Sequence, residues 1–179
     1  MSDDERRLFV DPSVFITLAA VGEVSLLGGL DGAVSVPHRV AREIEDDPAR
    51  ARLERAKRAG WLEITEDPAE IRRAADHLGR TVPENAVESS RVEGDVVLLA
   101  CGMAAGRPVV VTDDKPLRNA CKALSIPVAG SIAVLVRAVE RDDLEPQTAK
   151  NRLYAMDEVG ARLSASLVKR AERLIDDAA

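Results

Sequence analysis

Residues 93–130, EGDVVLLACGMAAGRPVVVTDDKPLRNACKALSIPVAG, decide the fold. Asp95 to Ala105 spaces its apolar side chains as a helix does, and Pro108 to Thr112 (PVVVT) is a continuous apolar run. Such a run suits a strand covered on both faces. Lys115 to Leu124 returns to helical spacing, and Ile126 to Ala129 is a second short strand. Helix, strand, helix, strand is the signature of parallel strands joined by crossover helices.

The same alternation extends toward the N-terminus. Leu8 to Asp11 is an apolar run ending in an acid, and Ser13 to Val21 continues at helical spacing until Gly22. Ala33 to Val36 predicts a second strand, closed by Pro37, which opens a helix carrying Val40, Glu43 and Ile44 on one face. Pro48 to Ala59 is charged and alanine-rich and stops at Gly60, and Trp61 to Thr65 (WLEIT) alternates like a half-exposed strand. Pro68 to Leu78 reads as helix, whereas Gly79 to Val92 has no clear period and reads as a loop near the site. From Ser131 onward only helical patterns remain, the last capped by Ser164. The expected fold class is α/β: three layers, α/β/α, around a central parallel sheet of four or five strands, with C-terminal helices. Residues 1–140 form the main domain, and 141–179 form a helical extension packed on it.

Composition narrows the function. Thirty-one acids against 25 bases give a formal charge of −6. That is the wrong sign for gripping nucleic acid over the whole surface, so any such contact must be a local basic patch. Phe9, Phe15, Trp61 and Tyr154 are the only aromatics, too few for a platform that stacks bases. Cys101 and Cys121 sit in helical patterns without ligand spacing and read as buried free thiols. His38 and His77 have no partner at ligand spacing and read as surface residues. No apolar run approaches the length of a membrane span, and the expectation is a cytoplasmic protein with no membrane partner.

In a parallel α/β sheet, ligands bind beyond the carboxyl ends of the strands. Asp11 ends the first strand, and Asp113 and Asp114 follow PVVVT. Asp95 begins a helix, where the dipole tolerates negative charge, and Glu43 follows the second strand. Four distant positions are thus expected to converge on one rim. Carboxylates at close quarters raise one another's pKa unless a cation neutralises them, and hard oxygen ligands select Mg²⁺ or Mn²⁺. Taken singly, each acid has a plainer role: Asp114 as cap of the helix at Pro116, Asp95 as a dipole-favoured helix start.

The stretches FVDPSVFI (9–16), VPHRVAREI (36–44), EGDVVLLACGMAAG (93–106) and VVVTDDKPLRNACKALSIPVAG (109–130) resemble, in order and spacing, four successive motifs of PIN domains. SIAVLVRAVERDDL (131–144) and LYAMDEVGARLSASLVKRAERLI (153–175) resemble the added helices of toxin-like prokaryotic PIN proteins. The resemblance implies metal-dependent hydrolysis of RNA phosphodiesters. It places the family's acids on Asp11, Glu43, Asp95 and the Asp113–Asp114 pair, with Ser13 and Thr112 as hydroxyls that order the site. Asp11 and Asp95 are then direct ligands; Glu43 and Asp114 hold a second metal or orient the water, with Asp113 able to substitute for Asp114. Arg91, Lys115 and Arg118 flank these acids and are candidate phosphate contacts. Pro12 departs from the usual DTS or DTN opening and removes a backbone donor beside the site. By the same resemblance the partners are RNA, a small antitoxin protein and a second copy in a homodimer.

Other readings compete. A haloacid-dehalogenase-type domain needs a second acid where Ser13 stands, and a receiver domain needs an acid pair before the end of the first strand, where this chain has only Asp3–Asp4, outside the core. A PIN fold that binds RNA or acts as a scaffold without cutting remains open, as does a ribosomal-RNA processing nuclease, although the tail lacks that enzyme's clustered cysteines.

Overall fold

The computed structural model describes residues 5–81 and 93–179. Among them five strands, β1 (Arg7–Val10), β2 (Ala33–Pro37), β3 (Leu62–Thr65), β4 (Pro108–Val111) and β5 (Val128–Ala129), form one sheet in the order β3-β2-β1-β4-β5. Every pairing is parallel. Such a sheet must be covered on both faces, and its central strands are accordingly largely apolar: Leu8, Phe9 and Val10 on β1 and Val110 and Val111 on β4 are all buried. The edge strand β3 instead alternates, with Leu62 buried and Glu63 exposed.

Going from β1 to β2 to β3 the chain moves one way across the sheet, through α1 (Pro12–Ala20) and α3 (Ala49–Ala59), which touch each other. From β3 it crosses back to β4 through α4 (Ile71–His77) and α5 (Gly94–Ala104), then reaches β5 through α6 (Lys115–Ala123). Right-handed crossovers put the first pair on one face and the second group on the other, giving the three layers. α5 lies across β1, β2 and β4, with Val96 to Ala100 fully enclosed.

α7 (Ser131–Glu140) returns to the α1 face, and α8 (Pro146–Met156) packs on both α7 and α1. α9 (Ala165–Asp177) closes on α7 and α8 after a π turn at Asp157–Ala161. Leu153, Met156 and Ile175 are fully buried there, so these helices share the sheet domain's core. Ser164 caps α9 by accepting from Leu167 N, as its position predicts. Cys101 and Cys121 are free and buried. Among the described residues no helix is long and apolar enough to cross a membrane.

Some sequence expectations shift. The helix after β2, α2 (His38–Ala41), is a single turn, and Glu43 lies in the turn beyond it rather than on a helical face with Val40 and Ile44. Tight three-residue bonds close that turn: Glu43 N to Val40 O and Ile44 N to Ala41 O. They bury Val40 and Ile44, so the apolar spacing that suggested a longer helix is satisfied without one. The fourth helix starts at Ile71 instead of Pro68, and β5 holds only the last two residues of the expected strand. Of the loop expected at Gly79–Val92, residues 82–92, Arg91 among them, lie outside the described residues.

Candidate functional site

In the order β3-β2-β1-β4-β5 the winding direction reverses between β1 and β4. Beyond the carboxyl ends of those two strands lies the natural crevice of an open α/β sheet. Asp11 leaves β1 there, and Thr112, Asp113 and Asp114 leave β4.

Asp11 is the N-cap of α1: its Oδ1 accepts from Ser13 N at 3.2 Å. Pro12 occupies the first helical position, where the missing N–H has no helical partner to lose. Ser13 therefore supplies the backbone donor, and the departure at Pro12 leaves the Asp11 cap formed. The other carboxylate oxygen, Oδ2, accepts from the hydroxyl of Thr112. Thr112 is fully buried, and its oxygen in turn accepts from Asp114 N at 3.0 Å. One hydroxyl thus ties the end of β4 to the end of β1.

The two acids after β4 part company. Asp114 caps α6, accepting from Leu117 N at 2.7 Å, and stays on the Asp11 side, near enough to push the Asp11 pKa up. Asp113 turns toward α7: Oδ1 accepts from Ser131 N at 3.0 Å and Oδ2 from the Ser131 hydroxyl at 2.6 Å. Asp113 is thus engaged by Ser131, whereas Asp114 stays beside Asp11. A side chain committed to both polar groups of Ser131 is a helix cap, and the choice between neighbours is made 18 residues downstream.

Glu43 and Asp95 enter from the other side. Asp95 stands in the first turn of α5, its side chain 18% exposed. The Glu43 carboxylate leans on Gly94, whose N–H hydrogen-bonds to it, and a methyl group added at Gly94 would lie 2.5 Å from Glu43 Oε1. Glycine at 94 is what admits the Glu43 head beside Asp95. α2, which leads to Glu43, is held by Asp67: one oxygen accepts from Arg39 N at 3.3 Å and the other from Arg39 Nε at 2.6 Å.

Burial and like charge act on two of these acids. Burial raises the Asp11 carboxyl above its ordinary value against the opposing hydrogen bonds from Thr112 and Ser13, and Asp114 raises it further. Glu43 is raised first by burial, then by Asp11 and by Asp95. Asp114 thus acts on Asp11, and Asp11 and Asp95 act on Glu43, across separate segments of the chain. Among the described residues no three His, Cys, Asp or Glu side chains gather closely enough to hold a metal ion. The donors are nevertheless hard carboxylate oxygens, two of them held above their ordinary pKa by burial and by like charge, and such a set suits Mg²⁺ or Mn²⁺.

The basic candidates divide. Lys115 is exposed at the start of α6. Arg118 Nη1 donates to Thr112 O at 2.8 Å and Ala129 O at 3.0 Å, bracing the ends of β4 and β5. Sequence reasoning missed Arg80, whose Nη1 lies 2.9 Å from Glu93 Oε2 and whose Nη2 lies 3.2 Å from Asp95 Oδ2. Its stretch has no periodicity, so nothing local marks it. His38 and His77 are exposed.

A family model described as a PIN domain matches residues 8–177, nearly the whole chain and across residue 140 into the last helices. No curated protein matches significantly.

Proposed function

The chain belongs to the PIN-domain family, a nuclease-type fold, and from that premise we propose that it is a divalent-metal-dependent endoribonuclease hydrolysing RNA phosphodiesters, acting as the toxin of a toxin–antitoxin pair. The observation that carries this reading is the joint elevation of Asp11, at the carboxyl end of β1, and Glu43, beyond β2, driven by burial together with Asp114, Asp11 and Asp95.

Asp11 and Asp95 would hold the dication, and Glu43 and Asp114 would hold a second one or orient the water. When bound, Mg²⁺ or Mn²⁺ supplies a more acidic water and neutralises charge on the phosphate. The chain's own residues provide the geometry. Thr112 and Ser13 N fix both oxygens of Asp11, so that carboxylate needs little reorganisation to act. α5 presents Asp95 from its positively polarised end, where a negative charge is favoured. Lys115 is positioned to meet a phosphate, whereas Arg118 serves chiefly to brace the two strand ends. With a net charge of −6, RNA must approach through such local cations. A small antitoxin, a homodimer and a cytoplasmic setting belong to the same proposal.

A PIN fold that binds RNA without cutting it is favoured by one feature, the pairing of Asp95 with Arg80. One assay separates the two. Purified protein is incubated with mixed RNAs and Mn²⁺ or Mg²⁺, beside Asp95→Asn. Cleavage by the native chain, abolished by EDTA and by the substitution, is expected; RNA retention without cleavage supports the binding reading, and equal cleavage by both forms removes Asp95 from catalysis.

A further inference from the structure

Arg80 faces two acids at once, Glu93 just before α5 and Asp95 inside its first turn. The Arg80 side chain is 45% exposed and Asp95 only 18%, so the guanidinium lies on the more open side of a largely enclosed carboxylate. Asp95 has a second bond on its other oxygen, from Val96 N at 2.8 Å. That bond orients Oδ1 toward the helix and leaves Oδ2, the Arg80 partner, as the oxygen turned outward. Arg80 is held in place by its own helix end: Arg80 N donates to Ala75 O at 2.9 Å, and Gly79 just before it has φ +64°, so the chain doubles back after α4 and aims the side chain at α5. α4 and α5 pack directly together, which fixes that aim.

We infer that Arg80 is a built-in counter-ion that competes with the divalent cation for Asp95 and so sets the metal concentration at which the carboxylate cluster fills. The inference rests on the metal-site reading above. A guanidinium and a dication cannot both take the outward oxygen of one carboxylate at contact distance, because their like charges would stand within a few ångströms in a partly enclosed site. Metal capture therefore requires Arg80 to release Asp95, while Glu93 remains as its partner and keeps it beside the cleft. Arg80 is a positioning residue in this account, acting through Asp95.

The test is Mn²⁺ binding by the full chain, read from the electron paramagnetic resonance signal of free Mn²⁺, with no RNA present. Arg80→Ala is expected to bind about threefold to tenfold more tightly than the native protein, the range suited to a half-exposed charge-assisted pair. Arg80→Lys keeps the charge without the forked contact and should fall between. Mere through-space repulsion would fade in high salt, whereas direct competition for one oxygen persists, so the gain must survive 0.5 M KCl. If the native protein binds Mn²⁺ in a manner lost in Asp95→Asn and Arg80→Ala binds no more tightly, the Arg80 inference fails alone. If neither form binds Mn²⁺ through Asp95, both it and the metal-site reading fail. A native chain that binds weakly and an Arg80→Ala chain that binds strongly would support it directly.

Discussion

The hydroxyl of Thr112 donates to Asp11 Oδ2 across 101 residues of sequence, and the same oxygen accepts from Asp114 N. A single buried threonine thus joins the strand ends on either side of the reversal in winding, and fixes two of the acids relative to each other.

Replacing it with valine keeps the shape and removes both bonds. Thr112→Val leaves Asp114 N without its acceptor and deprives Asp11 of the hydroxyl that opposes its upward pKa shift. The cost in unfolding free energy should be about 1–3 kcal/mol by urea denaturation, with cleavage reduced by an order of magnitude or more. Thr112→Ser should recover most of both. A valine variant as active as the native chain would show that the hydroxyl orders nothing the reaction needs.

Asp11 and Glu43 both hold their protons more tightly in the folded chain than free carboxyls do. For such groups the native state binds more protons than the unfolded one from the ordinary carboxyl range upward, and their contribution to stability is lost as pH rises through the raised values. In EDTA, urea midpoints should therefore rise as pH is lowered from neutrality toward the raised values. The double variant Asp11→Asn, Glu43→Gln should flatten that slope. Mn²⁺ should restore stability at neutral pH by binding the charged forms. A slope of opposite sign attributable to these two residues would contradict the shared enclosure of their carboxylates.

Gly94 makes room for Glu43. Gly94→Ala places a methyl group 2.5 Å from Oε1, and because that oxygen ends a flexible side chain it can move away. The fold should survive with a urea midpoint close to native, while Mn²⁺ affinity falls several-fold. Loss of stability with unchanged metal affinity would reverse this assignment.

The two thiols should be inert in the folded protein. Burial pushes Cys101 up to about 12, with Asp67 and Glu70 adding to it, and Cys121 up to about 11 against the pull of Arg118. A thiol-disulfide reagent at pH 8 should react with neither until urea is added, then with both. Fast reaction of either in the native chain would place it nearer the surface than its packing shows.

The sheet was legible because burial on both faces writes itself into sequence as unbroken apolar runs, such as Leu8–Val10 and Pro108–Val111, while the edge strand β3 shows alternation. The positions of Asp11, Asp95 and Asp114 followed from topology, since strand ends and helix starts are the points at which a parallel fold turns polar groups outward. What failed to show was anything settled by a distant partner. Val40 and Ile44 are buried by a tight turn as well as they would be by a longer helix, so spacing alone misplaced Glu43. Asp113 and Asp114 look equivalent until Ser131 claims one and Leu117 N the other. Arg80 acquires meaning only once α4 and α5 lie side by side.

The direction of β1 also settles how the chain can be extended. Arg7 begins that strand and Asp11 follows it, so the polypeptide enters the sheet at the rim farthest from the acids, about a strand's length of roughly 13 Å away. Purification handles, fluorophores or immobilising linkers joined ahead of residue 5 should leave the rim that carries the acids unobstructed.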